Sequence, residues 1–502
     1  MSKSGKVKVL KNSILYSLSS LLVKAMNFVL LPIYTLFLTP DDYGITNLIN
    51  SFTQVASFII AFSLYSAVIR FYADYKDNKL ALKRLYGTVV IFVLLSGIVF
   101  TTLGFVFRDE LVSLFFSGIS FYPVVAIALL TLVFVCLHTI HQSIMQGMQQ
   151  GKKLTIINLI VFIVEVCLNL LFIGMFRLGA VGVLVAKLIV NVIYFLYMCI
   201  DLIRSDLVLF CVDTKILREV LCYSIPLMPH NLSTHIATFA SRIFINNNGT
   251  LASVGLYSIA SKFGSIIDLV QTSVNKAFMP WFYETMNTDN KDNKREILNL
   301  SRFLLIIYSL LYMVIELFSQ EVIILLTNKN YYMAWTAIPI LVVGFSIKSV
   351  YYFYVNILFY FKEAARKIFV ATTVGSFADI MISYTLVPKY GVYGAASAFL
   401  LAKIIIVTIV VIMSQKYNDI GYSIISMLRV IFPSLLFMAL GLFLSYRKYV
   451  TVFSWYNLCY KILILFAYLC FIFFTNKKVI RKVLASSEMQ KRIFSKSNWK
   501  TC

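Results

Sequence analysis

Six basic side chains interrupt apolar stretches of this sequence: Lys24, Lys187, Lys262, Lys348, Lys403 and Arg242. Four carboxylates do the same: Glu165, Asp268, Glu316 and Asp379. A lone charge near the middle of a bilayer costs at least about 2.5 kcal/mol, so such residues usually face a bundle interior and have a task. Two kinds of chemistry fit. Basic groups in apolar surroundings can hold a phosphate, arginine in a bidentate way and lysine as a point charge. Carboxylates there can load and release a proton or a cation, and Glu165, Asp268 and Asp379 are the candidates for ion coupling. The plainer reading is that each acid neutralises a lysine with no ligand involved, and the residue types alone leave both readings open. Arg242 and Arg70 can also reach toward an interface. Arg242 belongs to a segment interrupted by Pro226 and Pro229, where freed backbone can line a cavity. Lys262 and Lys276 are four turns apart and share a helix face.

Two other patterns suggest chemistry and carry less. His138 and His141 are spaced to share a helix face, but no carboxylate or cysteine nearby completes a site, so no metal is expected. Asp41 and Asp42, in "LTPDDYG", form an acid pair at the start of an apolar segment. Pro40 suits a turn there, and a carboxylate suits the positive end of a helix, so a cap is the expected role.

The elements that position these residues must be membrane helices. The chain has 502 residues, 60% hydrophobic and 13% charged, with a mean hydropathy of +0.84. Apolar runs of spanning length are separated by short polar breaks, which is a helical pattern and not a barrel pattern. Fourteen spans are expected, at 13–37, 45–72, 86–107, 121–145, 154–176, 179–203, 218–245, 252–283, 301–326, 333–360, 366–388, 392–414, 422–446 and 452–475. The net charge of +23 lies mostly in the breaks and the tail, which suits lipid headgroups and not nucleic acid. Of 45 Lys and Arg residues, 29 fall in breaks on the side of the termini and 6 on the other side. That bias places both termini in the cytoplasm. The basic start is followed by an apolar run too long for a cleaved leader, so it reads as the first span. The eight cysteines show no metal-ligand spacing and read as free thiols.

An internal repeat organises the spans. Residues 41–72 match 252–283 without a gap, with Gly44 on Gly255 and Phe71-Tyr72 on Phe282-Tyr283. "RLGAVGVLVA" (177–186) matches "KYGVYGAASA" (389–398) at nearly the same offset. Six helices separate the copies, so both insert the same way and imply two parallel lobes. The expected organisation is a six-helix lobe at 1–203, a cytoplasmic connector at 204–219, a second six-helix lobe at 220–414, an added helix pair at 415–475 and a basic tail at 476–502.

The stretches "LTPDDYGITNLINS", "ASVGLYSIASKF" and "LVPKYGVYGAASAFLLAK", with "YSIPLMPHNLSTHIATFASRIFI" opening the second lobe, resemble the polysaccharide-export (Wzx-type) branch of the MOP flippase superfamily. The resemblance covers the whole chain and rests on loose structural motifs. It implies an all-α bundle with a MATE-like V shape and a cationic cavity. It also implies a bacterial cytoplasmic-membrane flippase, with no enzymatic step, for undecaprenyl-diphosphate-linked oligosaccharide units. Lys24, Lys187, Arg242, Lys262 and Lys403 would then meet the diphosphate, with a proton or sodium gradient as driving force and no bound cofactor. Polysaccharide-assembly proteins such as a polymerase would be partners. Three rivals stand beside it. A membrane glycan polymerase needs clustered polar groups on an external loop, and these breaks are short. A small-molecule exporter on the same fold would favour an acidic or apolar cavity. A peptidoglycan-precursor flippase shares the diphosphate carrier, and fourteen helices fit both.

Overall fold

The computed structural model describes residues 28, 30–287, 291–365, 367–417 and 420–485. Among these residues every regular element is a helix. In a bilayer core a helix satisfies its own backbone, so apolar runs of this length have no other open form available. Lys24, most of the first expected span and most of the basic tail lie outside the described residues.

In chain order the helices are α1 (Leu31–Phe37), α2 (Pro40–Ile60), α3 (Leu64–Tyr75), α4 (Lys79–Val106), α5 (Arg108–Phe115), α6 (Ala126–Gly147), α7 (Gly151–Asn169), α8 (Gly179–Arg204) and α9 (Thr214–Ser224). There follow α10 (Met228–Asn248), α11 (Leu251–Met286), α12 (Lys291–Leu326), α13 (Ile338–Tyr360), α14 (Lys362–Ala365), α15 (Ile368–Gln415), α16 (Ile424–Arg447) and α17 (Trp455–Ala485). Nine stretches among the described residues are long and apolar enough to cross a membrane, and α2 with α3, bent by 45°, would add a tenth. Helix α15 has 48 residues. As one straight rod at 1.5 Å per residue it would measure about 72 Å, more than twice a bilayer core. It is not one straight rod, because Gly391 inside it is non-helical, with φ 53° and ψ −126°. Helices α10 and α11 cover two expected spans but do not reach the same apolarity.

The expected seventh span is broken. Helix α9 ends at Ser224, a 3₁₀ turn covers Ile225–Leu227, and α10 begins at Met228. Pro226 and Pro229 are the second residues of the last two pieces, each within the first turn, where a missing N–H costs nothing.

The chain divides into two compact units. The first takes in Met1–Ser258 and Ser383–Ala395, the second Ile259–Ile382 and Ala396–Cys502. In the first unit α6 packs against α3, α4 and α8, and α2 lies along α10. Phe52 meets Phe239 and Phe58 meets His235 across that pair. In the second unit α12 packs against α13, α16 and α17, so the two C-terminal helices are docked and not peripheral.

The repeat is visible in local geometry. Thr39 caps α2 by accepting the Asp42 N–H at 3.1 Å, and Asp42 returns the contact by accepting the Thr39 N–H at 3.2 Å. At the equivalent place before α11, Thr250 accepts the Ser253 N–H at 3.1 Å. Gly179 and Gly391, paired by the second sequence match, both have φ in the left-handed region, 55° and 53°. Of the acid pair, Asp42 is therefore the cap. Asp42 also accepts the Ala180 N–H at 3.0 Å, tying α2 to the start of α8.

Candidate functional site

Two clusters hold the charged residues of interest, one in each unit. In the first, neighbouring positions of α2 present Asn50 and Ser51. Lys187, on α8, donates to Asn50 Oδ1 at 2.6 Å. Arg242, on α10, donates to Ser51 Oγ at 2.6 Å and, through Nε, to Ser258 Oγ at 3.3 Å. Both basic groups are half-buried. Glu165 on α7 lies within electrostatic range of Lys187, but among the described residues no ion pair joins them. The electrostatic neighbours of Arg242 are the phenols Tyr43 and Tyr257. Its hydrogen-bond partners are hydroxyls, and no described carboxylate pairs with it. Serine and asparagine oxygens orient a cation without cancelling its charge, so this cluster keeps a positive field in apolar surroundings.

The second cluster is balanced. Asp268 on α11 forms an ion pair with Lys348 on α13, and Tyr352 donates to the same carboxylate at 3.3 Å. Lys348 also lies over the Tyr352 ring, 5.6 Å from its centroid. Lys403 sits 4.7 Å from the centroid of Phe399, close enough for a cation–π contact, and is coupled electrostatically to Lys348, Asp379 and Asp268. Two cations thus face two carboxylates. Lys262 is half-buried one turn and a half before Asp268 on α11, whereas Lys276 on the same helix is exposed.

The expected residues therefore fall into two groups. Lys187, Glu165 and Arg242 belong to the first cluster, and Lys403, Asp268 and Asp379 to the second. Lys24 lies outside the described residues. The neutral anchors Asn50, Ser51 and Ser258 escaped the sequence reading, since polar residues of this kind are common in helices and their meaning depends on what crosses them. Lys461 escaped it too. It is fully buried on α17 and donates to both oxygens of Glu321 at 2.8 and 2.9 Å and to Gln320 at 2.9 Å. A lysine inside a twenty-residue apolar run is a signal that was available.

The histidines are occupied otherwise than a metal would require. His138 engages Asn191 at 3.1 Å and Gln142 at 2.9 Å, and His141 engages Tyr194 at 2.9 Å and Asp201 at 3.1 Å. Lys153 donates to both Asp201 oxygens at 2.6 and 2.7 Å. Among the described residues no group of three or more His, Cys, Asp or Glu side chains is placed to hold a metal ion.

Comparison with known proteins gives these arrangements a context. Residues 9–286 match the family described as polysaccharide biosynthesis protein. A protein of Haemophilus influenzae described as Lsg locus putative protein 1 is 20% identical over 406 residues, spanning 78% of this chain and 96% of its own length. The fold is similar to that of the lipid II flippase MurJ in its inward closed conformation, with 18% identity, a TM-score of 0.69, and coverage of 93% of this chain and 100% of that one. It is also similar to an inward-facing multidrug resistance MATE family transporter of the MOP superfamily. There the identity is 15% and the TM-score 0.65, over 78% of this chain and 94% of that one.

Proposed function

Because the chain belongs to the polysaccharide biosynthesis protein family, we propose that it is a flippase for lipid-linked oligosaccharide. The substrate would be an undecaprenyl-diphosphate-linked repeat unit, moved from the cytoplasmic to the outer leaflet of a bacterial cytoplasmic membrane. The observation that carries this reading is Arg242: a half-buried guanidinium held by two serine hydroxyls and by no described carboxylate. Such a group retains donors and charge for an anion, and a diphosphate offers the matching acceptors. Lys187 shares its setting, and Lys24, Lys262 and Lys403 complete the proposed set of basic contacts. The lipid tail would stay in the bilayer while the diphosphate docks and the sugars follow. No bond is made or broken in this cycle. Alternating access between two states would move the site from one side to the other. Glu165, Asp268 and Asp379 are the proposed points of coupling to a proton or sodium gradient, with both termini on the cytoplasmic side.

The test is surface polysaccharide in cells that depend on this protein. Arg242→Glu and Lys262→Glu should abolish it while membrane levels of the protein stay normal. Full polysaccharide output from both variants would remove these residues from the site. The similarity in fold to a lipid II flippase supports a second reading, in which the diphosphate lipid is a peptidoglycan precursor. Rescue of cells depleted of their lipid II flippase would favour that reading over oligosaccharide export.

A further inference from the structure

Helices α2 and α11 meet at their N-terminal ends with their backbones in contact. A Cβ on Gly44 would lie 2.0 Å from the Leu251 carbonyl oxygen. A Cβ on Gly255 would lie 2.2 Å from the Pro40 carbonyl oxygen. The contact is reciprocal, and it obeys the repeat: Gly44 is equivalent to Gly255, and Pro40 to Leu251, by one and the same offset in the sequence. The two glycines therefore play the same part on either side of the contact. Only glycine lets two helices approach this closely, so the contact is built and not incidental.

Arg242 sits beside this contact. Its two serine partners stand one on each of the same helices: Ser51 is two turns beyond Gly44 on α2, and Ser258 is one turn beyond Gly255 on α11. One guanidinium from α10 thus ties together the two helices whose ends are pressed against each other. We propose that Arg242 is the latch of this closure, and that a diphosphate which takes the guanidinium releases Ser51 and Ser258 and lets the α2 and α11 ends part. The proposal rests on the reading of Arg242 as part of the diphosphate site. It adds that the site reports its occupancy to the helix ends, so that opening follows loading.

The closure gives a direct reason for coupling. Two of the five guanidinium N–H donors are given to Ser258 and Ser51, and a phosphate oxygen is a stronger acceptor than a serine hydroxyl. An anion that engages Nε and a terminal nitrogen competes for the donors now given to Ser258 and Ser51. Losing both bonds removes a polar link between α2 and α11 beside the glycine contact, where neither glycine contributes a side chain to hold it. A neutral ligand has no such effect, so an empty protein stays latched.

The experiment uses the full chain in nanodiscs, with the native cysteines changed to serine and spin labels on Asp41→Cys and Ala252→Cys. The distance between labels reports the helix ends, and calorimetry reports binding of two probes, inorganic pyrophosphate and undecaprenyl diphosphate. The unliganded protein should give a short distance, and bound diphosphate should shift it longer. Lengthening by both probes assigns the trigger to the diphosphate group, and lengthening by the lipid alone assigns it to a lipid-borne diphosphate. Ser51→Ala with Ser258→Ala should give the long distance without any probe and still bind diphosphate. Gly44→Ala should do the same by forcing the backbones apart, and if that variant does not fold, the double serine variant decides. Binding with no change in distance, or a short distance in the double serine variant, overturns the latch and leaves the diphosphate site standing. No binding of either probe overturns the site and the latch together.

Discussion

In the first unit, Lys187 and Arg242 are held by the neutral oxygens of Asn50, Ser51 and Ser258. In the second, Lys348 and Lys461 are each held by a carboxylate, Asp268 and Glu321. Lys187, Lys348 and Lys461 lie in helices apolar enough to cross a membrane and Arg242 in the more polar α10, and the partners divide their tasks. A neutral oxygen positions a cation and leaves its charge to act on something else. A carboxylate cancels the charge and turns the pair into a fastening between helices. The sharpest break of this comparison is at Lys461, whose side chain is 0% exposed, as Glu321 is 7%. Lys461→Ala strands a buried carboxylate and should cost about 3–5 kcal/mol, read as a large fall in Tm in detergent. Lys461→Met combined with Glu321→Met should restore most of that stability. A double variant as unstable as the single one would mean that the ion pair does more than fasten α17 to α12.

The opposite pattern is expected at Arg242. Its removal leaves two hydroxyls, which tolerate water or each other, and no stranded charge. Arg242→Gln should therefore lower transport of a diphosphate-linked lipid by about 100-fold, equivalent to about 2.7 kcal/mol, with a Tm close to that of the unaltered protein. Vesicle transport and melting measured on the same preparation check both halves. If Tm falls as far as in Lys461→Ala, Arg242 carries as much stability as the buried ion pair and the contrast between the units is lost.

Asp268 sharpens the comparison from the other side, because its pair with Lys348 is partly open, at 33% and 23% side-chain exposure. A pair less enclosed than Lys461–Glu321 should lose less when one partner is neutralised, so Asp268→Asn should cost less stability than Lys461→Ala. The more telling measurement is transport in vesicles with and without a proton or sodium gradient. Loss of gradient dependence in Asp268→Asn, persisting when Lys348→Met is added, would place ion coupling in the balanced cluster. Unchanged dependence would leave Asp268 as a helix fastening.

Much of the scaffold was legible before any coordinates because it is written twice. Gly44 with Gly255, Thr39 with Thr250, and Gly179 with Gly391 recur at nearly the same offset, and in each pair the backbone does the same thing. Long apolar runs gave the helices, since the bilayer allows little else. Helices α10 and α11 fit less well because their Asn, Ser, Thr, His and Lys residues serve contacts within the protein. The partners of the charges were not legible. Lys348 and Asp268 are 80 positions apart, and Lys461 and Glu321 are 140, so only helix packing decides which cation is neutralised. That is also why Arg242 could be named from the sequence but not distinguished from a paired lysine.

The smallest expected effect tests the same contrast at the two helix starts. Thr39 faces a carboxylate in a two-way box, because Asp42 accepts both its N–H and, at 2.7 Å, its hydroxyl. Its counterpart Thr250 faces the neutral Ser253, whose hydroxyl lies at 3.1 Å. A cap threonine changed to alanine costs about 0.5–2 kcal/mol. Thr39→Ala belongs at the upper end of that range, because it removes the hydroxyl from a charge-assisted bond and loosens the carboxylate that also holds the Ala180 N–H. Thr250→Ala belongs at the lower end. The two single variants, melted side by side, should differ by about 1 kcal/mol, with Thr39→Ala the less stable. Equal losses would mean that the acid at position 42 adds nothing beyond a hydroxyl cap, and that negative charge matters in this protein only where it meets a cation.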